Sequence, residues 1–233
     1  MAGLINNFAE NGSPATEPGR RERRRVETQQ RIMSAAIDLF SKHGYAETTV
    51  EDITEAADVG KGTFFNYFPT KDAVLLAIFE SVRQRFVELQ ASAANIKDVP
   101  ATLREFAHRF LNSMVRSPRI IRNMFGLALT DAVMGERFEG VLRQARQAII
   151  ALLEHGQEIG QVRKDIPAAI LGRTFQQFIF GTEIVWSFSS GESLLDWVDV
   201  SLELFWNGAG TVAGSSATRG AAAGKSAMDS AAK

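Results

Sequence analysis

Apolar residues recur at helical intervals through most of this chain. Ile32, Ala35, Ala36, Leu39 and Phe40 stand at i, i+3, i+4, i+7 and i+8, which is one face of a helix. That helix begins within an Arg-rich run and is expected to end near His43, because Gly44 can take the left-handed conformation after a helix at no steric cost. A second helix is predicted after Thr49, whose hydroxyl can cap free N–H groups, with Asp52 at the third position of a capping box. Thr48 with Glu51 offers the same arrangement one residue earlier. Val50, Ile53 and Ala57 form the buried stripe of this helix. A turn follows at Asp58, Val59 and Gly60. With Gly60 as N-cap, Val59 and Phe64 have the spacing of a hydrophobic staple. The third helix is expected from Lys61 to about Phe68, where Pro69 disfavours the α conformation of the residue before it. Thr70 caps a long fourth helix from Lys71 to about Gln90.

Beyond residue 90 the pattern predicts helices near 100–116, 119–130, 136–158, 167–189 and 193–207. Pro100, Pro118 and Pro167 sit where helices can begin, and Gly160 and the Ser189, Ser190, Gly191 cluster mark breaks. No stretch alternates apolar and polar long enough to form a strand, so the fold class is all-α. Residues 1–19 are rich in Gly, Pro, Asn and Ser, and 208–233 are nearly all Gly, Ala, Ser and Thr; both read as disordered. Residues 20–69 then form a head with a basic arm, and 70–207 a larger helical domain.

The second and third helices with their tight turn have the layout of a helix-turn-helix. The opening of the third is Gly60, Lys61, Gly62 and Thr63. Its free N–H groups and the positive end of its dipole favour a phosphate. Gly within a helix costs about 1 kcal/mol relative to Ala, so close approach of another backbone is a reason for Gly62. Lys61 can reach a phosphate or a guanine edge, and Thr63 can bond a base or touch a thymine methyl. Phe64 and Phe68 lie four apart and face the core, which turns Phe65, Asn66 and Tyr67 outward.

Composition sharpens this picture. The net charge is −1 and the pI about 6.3, which argues against coating nucleic acid by charge alone. Positive charge is local: residues 20–31 hold six Arg against two Glu. Phe is frequent at 16, against 2 Tyr and 3 Trp, so a Phe-rich core with room for an aromatic-lined pocket is expected. The absence of Cys excludes disulfides and thiolate metal sites. No apolar run approaches the roughly 20 residues that span a bilayer, and the first residues lack the pattern of a secretory signal. A cytoplasmic protein with no membrane partner is the expectation.

Two late helices look apolar on more than one face. Leu171, Phe175, Phe178, Thr182, Val185 and Trp186 make one stripe, with Phe180, Ile184 and Phe188 off it. In the last helix Leu194, Val198, Leu202 and Phe205 make a stripe that Trp197, Val200, Leu204 and Trp206 broaden. A helix apolar all round must be covered all round. A homodimer joined through these two helices as a four-helix bundle meets that need, and Gly172 and Gly181 could permit close helix contact there.

From Gln29 to Phe79 the residues IMSAAIDLFSKHGYAETTVEDITEAADVGKGTFFNYFPTKDAVLLAIF resemble the N-terminal domain of the tetracycline-repressor (TetR) family of transcriptional regulators. The resemblance implies a three-helix DNA-binding domain joined to an all-helical ligand-binding and dimerisation domain. It implies contacts to double-stranded operator DNA from Thr49, Lys61, Gly62, Thr63, Phe65, Asn66, Tyr67 and Lys71, and repression as the family default. The chain departs from the usual pattern at four places: Gly60 stands where a capping Ser is common, Asp58 where Gly is frequent, Phe65 where Tyr is common and Tyr67 where His is frequent. Some relatives place basic N-terminal arms in a groove, which Arg20 to Arg25 could imitate.

Phe106, Phe110, Met114, Met124, Phe125 and Phe138 fall on the central helices, where a pocket for an apolar or aromatic effector would have His108 or Arg122 as polar anchor. An effector that binds best to a dimer with wrongly spaced heads lowers operator affinity, and the fourth helix is the lever. Rival readings are an enzyme, an activator, and an architectural DNA-binding protein without an effector. His43, His108 and His155 lie in no metal-binding spacing; Glu105 with His108 is one half of a di-iron pattern that needs a second copy. No catalytic residue, metal or cofactor is assigned.

Overall fold

The computed structural model describes residues 19–115, 117–189 and 191–210. They form α1 (Arg20–Lys42), α2 (Val50–Ala56), α3 (Lys61–Tyr67), α4 (Lys71–Ser92), α5 (Val99–Met114), α6 (Pro118–Thr130), α7 (Ala132–Glu158), α8 (Ala168–Trp186) and α9 (Leu194–Ala209), with one 3-10 turn at Ala93–Asn95. No strand occurs among the described residues; a single antiparallel bridge joins Val162 and Gly210.

Local chemistry explains the head. Gly44, at φ +96°, follows α1, and its N–H donates to the Phe40 carbonyl at 3.1 Å, closing the last turn. Of the two possible caps for α2, Thr49 takes the role. Its hydroxyl accepts from Asp52 N at 3.1 Å while Asp52 accepts from Thr49 N at 2.8 Å. Thr48 instead donates to the Gly44 carbonyl. After α2, Asp58 is left-handed at φ +51°; its N–H donates to Glu55 and that of Val59 to Thr54, a Schellman ending. Phe64 of α3 is fully buried with Ile32 and Ile53, and Phe68 beside it turns extended before Pro69.

Several boundaries differ from expectation for local reasons. Asp131 caps α7 through Met134 N at 2.9 Å, so this helix starts at Ala132, four residues early. The last helix runs on to Ala209, Arg163 N donates to the Ala209 carbonyl at 3.0 Å, and Arg163 Nη1 donates to Gly208 O at 2.8 Å. Residues 208–210, assigned to the tail, therefore belong to the folded body. The disorder expected for 1–18 and 211–233 lies outside the described residues, as does the expected break at Ser190. Arg20 to Arg25 form the first turns of α1 and are exposed.

The body is a bundle in which α4 packs on α7, α7 on α8 and α8 on α9, with α6 covering α7 and touching α1. A Cβ on Gly172 would meet Ile150 Cγ1 at 2.6 Å, so this glycine lets α8 lie close on α7 within one chain. The expectation that it serves contact between copies is corrected; Gly181 faces open space. The seam between head and body is apolar around Ile37, Phe40, Ile120 and Leu127, with a polar edge. Ser117 and Arg119 of the α6 start donate to the carbonyls of Ser41 and Lys42, and Asn123 donates to Phe40 O at 3.4 Å. The carbonyls of Ser41 and Lys42 are orphans of the last turn of α1, while that of Phe40 already accepts from Gly44 N–H.

Candidate nucleic-acid interface and inner cavity

On α3, Phe64 and the neighbouring Phe68 anchor one side of the segment to the core and leave the other in solvent. Lys61, Gly62, Thr63, Phe65 and Asn66 are exposed, and Tyr67 is half-buried against the core. Phe65 is 52% exposed, with its ring edge-on to Phe64 at 5.4 Å. Nothing lies within 4 Å of a Cβ built on Gly60 or Gly62, so the tip of α3 is open to a partner backbone.

Two of the basic side chains have partners within the chain. The Lys61 ammonium pairs with the exposed Glu51 carboxylate, and that hydrogen bond holds the Glu51 carboxyl below its ordinary range. A phosphate would have to replace Glu51. Lys71 is engaged within the chain as well. Its ammonium donates to the carbonyls of Tyr45 at 2.7 Å and Thr48 at 2.8 Å, with Ala46 at 3.4 Å, and sits 4.4 Å from the centre of the Tyr45 ring. Burial lowers its pKa. Lys71 thus braces the loop between α1 and α2 against α4, because the ammonium's hydrogens are directed inward. The Thr49 hydroxyl is likewise engaged, donating to Asp52 Oδ2 at 2.7 Å. The N–H of Thr49, and then this hydroxyl, hold Asp52 below the usual carboxylate range.

Inside the body lies a cavity of about 160 Å³, walled by α4 to α8. Phe106, Phe110, Met114, Met124, Phe125 and Phe138 all line it, together with Phe79 and Phe86 of α4. The two expected polar anchors do not. His108 Nε2 lies 2.9 Å from Asp199 Oδ1 and ties α5 to α9, while Arg122 stacks its guanidinium 5.9 Å from the Phe188 ring. Helix geometry turns both away from the wall that Phe106, Phe110 and Phe125 form. The polar lining comes from α8 instead: Gln176 and Glu183. Their signal was the i, i+3, i+4, i+7 spacing of Gln176, Ile179, Phe180 and Glu183, hidden among apolar residues on every side of that helix. Glu105 pairs with Arg109 on the surface. No group of three or more His, Asp or Glu among the described residues could hold a metal ion. No helix among them is long and apolar enough to cross a membrane.

A short helix presented from a tight turn and carried on a larger helical body defines a helix-turn-helix DNA-binding regulator. Residues 32–78 match the family described as "Bacterial regulatory proteins, tetR family". The transcriptional repressor DhaR of Mycobacterium sp. strain GP1 is 30% identical over 156 residues, which span 63% of this chain and 76% of that protein. The uncharacterised helix-turn-helix regulator YdeS of Bacillus subtilis is 30% identical over 140 residues, spanning 60% and 69%. A TetR transcription regulator from Haloarcula marismortui shares the fold, with a TM-score of 0.64 at 20% identity over 80% of this chain and 100% of that one. The fatty acid degradation regulator FadR from Bacillus halodurans does so too, with a TM-score of 0.61 at 24% identity over 78% and 95%. The chain belongs to the TetR family of transcriptional regulators.

Proposed function

We propose that this regulator is a repressor that binds a palindromic operator as a homodimer and is released by a small effector seated in the inner cavity. Residues 20–69 are the reading head, and the helical body through α9 senses the effector and dimerises. The carrying observation is the exposed face of α3 on a segment anchored by Phe64 and Phe68. Lys61, Gly62 and Thr63 meet phosphates and base edges there, and Phe65, Asn66 and Tyr67 flank them. Thr49 at the α2 cap offers a second phosphate contact. Lys71 supports the head from behind.

The outer surface of the body supports the dimer. Phe178, Gly181, Val185 and Phe188 follow one exposed line along the α8 segment, with Val200 and Leu204 on α9 beside it. The single stripe expected on α8 thus divides. Leu171, Phe175 and Trp186 are buried in the chain, while Phe178 and Val185 face outward. A second copy covers this face and sets two heads on successive turns of the duplex. Cavity and head share walls: α4 carries Phe79 and Phe86 at one end and Lys71 at the other, and α6 carries Phe125 and the contacts to α1. An effector that favours one placement of α4 and α6 shifts the spacing of the heads.

Selection of bound fragments from genomic DNA tests this. A palindrome should emerge, bound by two copies, and Thr63→Ala should weaken that binding by about 1–3 kcal/mol while sparing the fold. Equal affinity for the palindrome and scrambled DNA at one salt concentration would favour an architectural protein instead.

A further inference from the structure

The cavity is apolar except for the stripe of α8 that closes it. Gln176 is engaged at both ends of its amide: Nε2 donates to the Leu142 carbonyl at 2.7 Å, and Oε1 accepts from Arg146 Nε at 2.9 Å. Glu183 lies two turns further along the same face and has no side-chain hydrogen bond or ion pair among the described residues. One turn before it Phe180 meets Phe125 at 4.7 Å and Phe138 at 6.1 Å between ring centres, and these three rings line the same cavity as Glu183.

A half-buried carboxyl that lines an apolar cavity without a partner is costly unless a binding partner supplies the missing group. A neutral ligand would be served equally by Gln, without the cost of ionisation. A carboxylate ligand would add a like charge in a low dielectric. A cation is the ligand class for which Glu is the better residue, and the ring faces add to its attraction. Apolar cavities of roughly 150 Å³ hold a single benzene ring, close to the 160 Å³ found here. The geometry points to a small amphipathic amine, one ring or an equivalent chain, whose ammonium pairs with Glu183 while its apolar part lies among the phenylalanines. This rests on the reading of the cavity as the effector site. Desolvation pushes the Glu183 carboxyl up to about 8, so it is mostly a neutral acid near neutral pH and ionises when the ammonium arrives.

Calorimetric titration of the full chain with 2-phenylethylamine, 2-phenylethanol and phenylacetate at neutral pH tests the inference, alongside the near-isosteric variant Glu183→Gln. The wild-type protein should bind the amine at least tenfold tighter than the alcohol and bind phenylacetate weakest. Glu183→Gln should bring amine and alcohol within about twofold, with the alcohol's affinity kept. Equal binding of amine and alcohol by the wild type overturns the amine inference and leaves the effector cavity standing. So does a preference that survives in Glu183→Gln. Failure of all three probes to bind the wild type or to alter its operator binding overturns the amine inference and counts against the cavity as effector site.

Discussion

The hydroxyl of Ser117, which opens α6, donates to the carbonyl of Ser41 in the last turn of α1 at 2.8 Å. The contact spans 76 residues of sequence and crosses from body to head. Arg119 and Asn123 reinforce it on Lys42 and Phe40, while Ile120, Ile121 and Phe125 of the same helix face the cavity. One helix therefore touches both the cavity and the end of α1. Replacing Ser117 and Arg119 with Ala leaves the carbonyls to water. Effector affinity, measured by calorimetry, should hold, while the effector's effect on operator affinity should shrink by on the order of 0.5–2 kcal/mol of coupling. Undiminished release in the double variant would remove α6 from the mechanism.

Lys71→Met tests the brace beneath the head. Three acceptors and an aromatic face lose their ammonium, and two part-buried carbonyls are left short of a donor. Urea unfolding should show a loss of about 1–3 kcal/mol. The salt dependence of operator binding should keep its slope, because this ammonium is held by the chain's own carbonyls. A slope flatter by about one unit per head would restore Lys71 to the phosphate contacts.

Asp58 holds a left-handed conformation at φ +51° where α2 ends. A Cβ there opposes the following carbonyl, so Asp58→Gly relieves local strain at some cost in unfolded-chain entropy. The net gain should be about 0.5–1 kcal/mol, seen as a higher midpoint of thermal unfolding, with operator selectivity unchanged.

Glu183 sets a pH dependence of stability. Its carboxyl titrates at about 8 in the folded chain against 4.5 ordinarily. The folded state therefore binds more protons between those values, and stability is fully present below pH 4.5 and falls as pH rises through 8. Glu183→Gln should be more stable than wild type above pH 8, by on the order of a few kcal/mol, with the difference gone near pH 4. Parallel stability curves for the two proteins would place Glu183 in water.

The head was legible in the sequence because its signals are local. The capping of α2 by Thr49, the stop at Pro69, and the burial of Phe64 with Phe68 each follow from residues a few places apart. The partners of Lys71 within the chain were not legible, for the same reason. Its partners, Tyr45 and Thr48, lie more than twenty residues upstream, and nothing near Lys71 announces them. In the body, the phenylalanines of the cavity wall were legible from helical spacing. The polar residue facing them was not. His108 stands on an amphipathic helix and Glu183 on an apolar one, and only the rotation of each helix in the bundle decides which faces inward.

By itself the sequence determined an all-helical chain with a turn between two short helices and a glycine-opened tip, because dihedral preference, capping and apolar period act within a few residues. Tertiary structure decided the rest. Packing assigned Lys71 to three carbonyls, joined Ser117 to Ser41, set Gly172 against Ile150, and aimed Glu183 into the cavity. Those pairings depend on the rotation and stacking of whole helices, which many side chains fix jointly and no short stretch encodes.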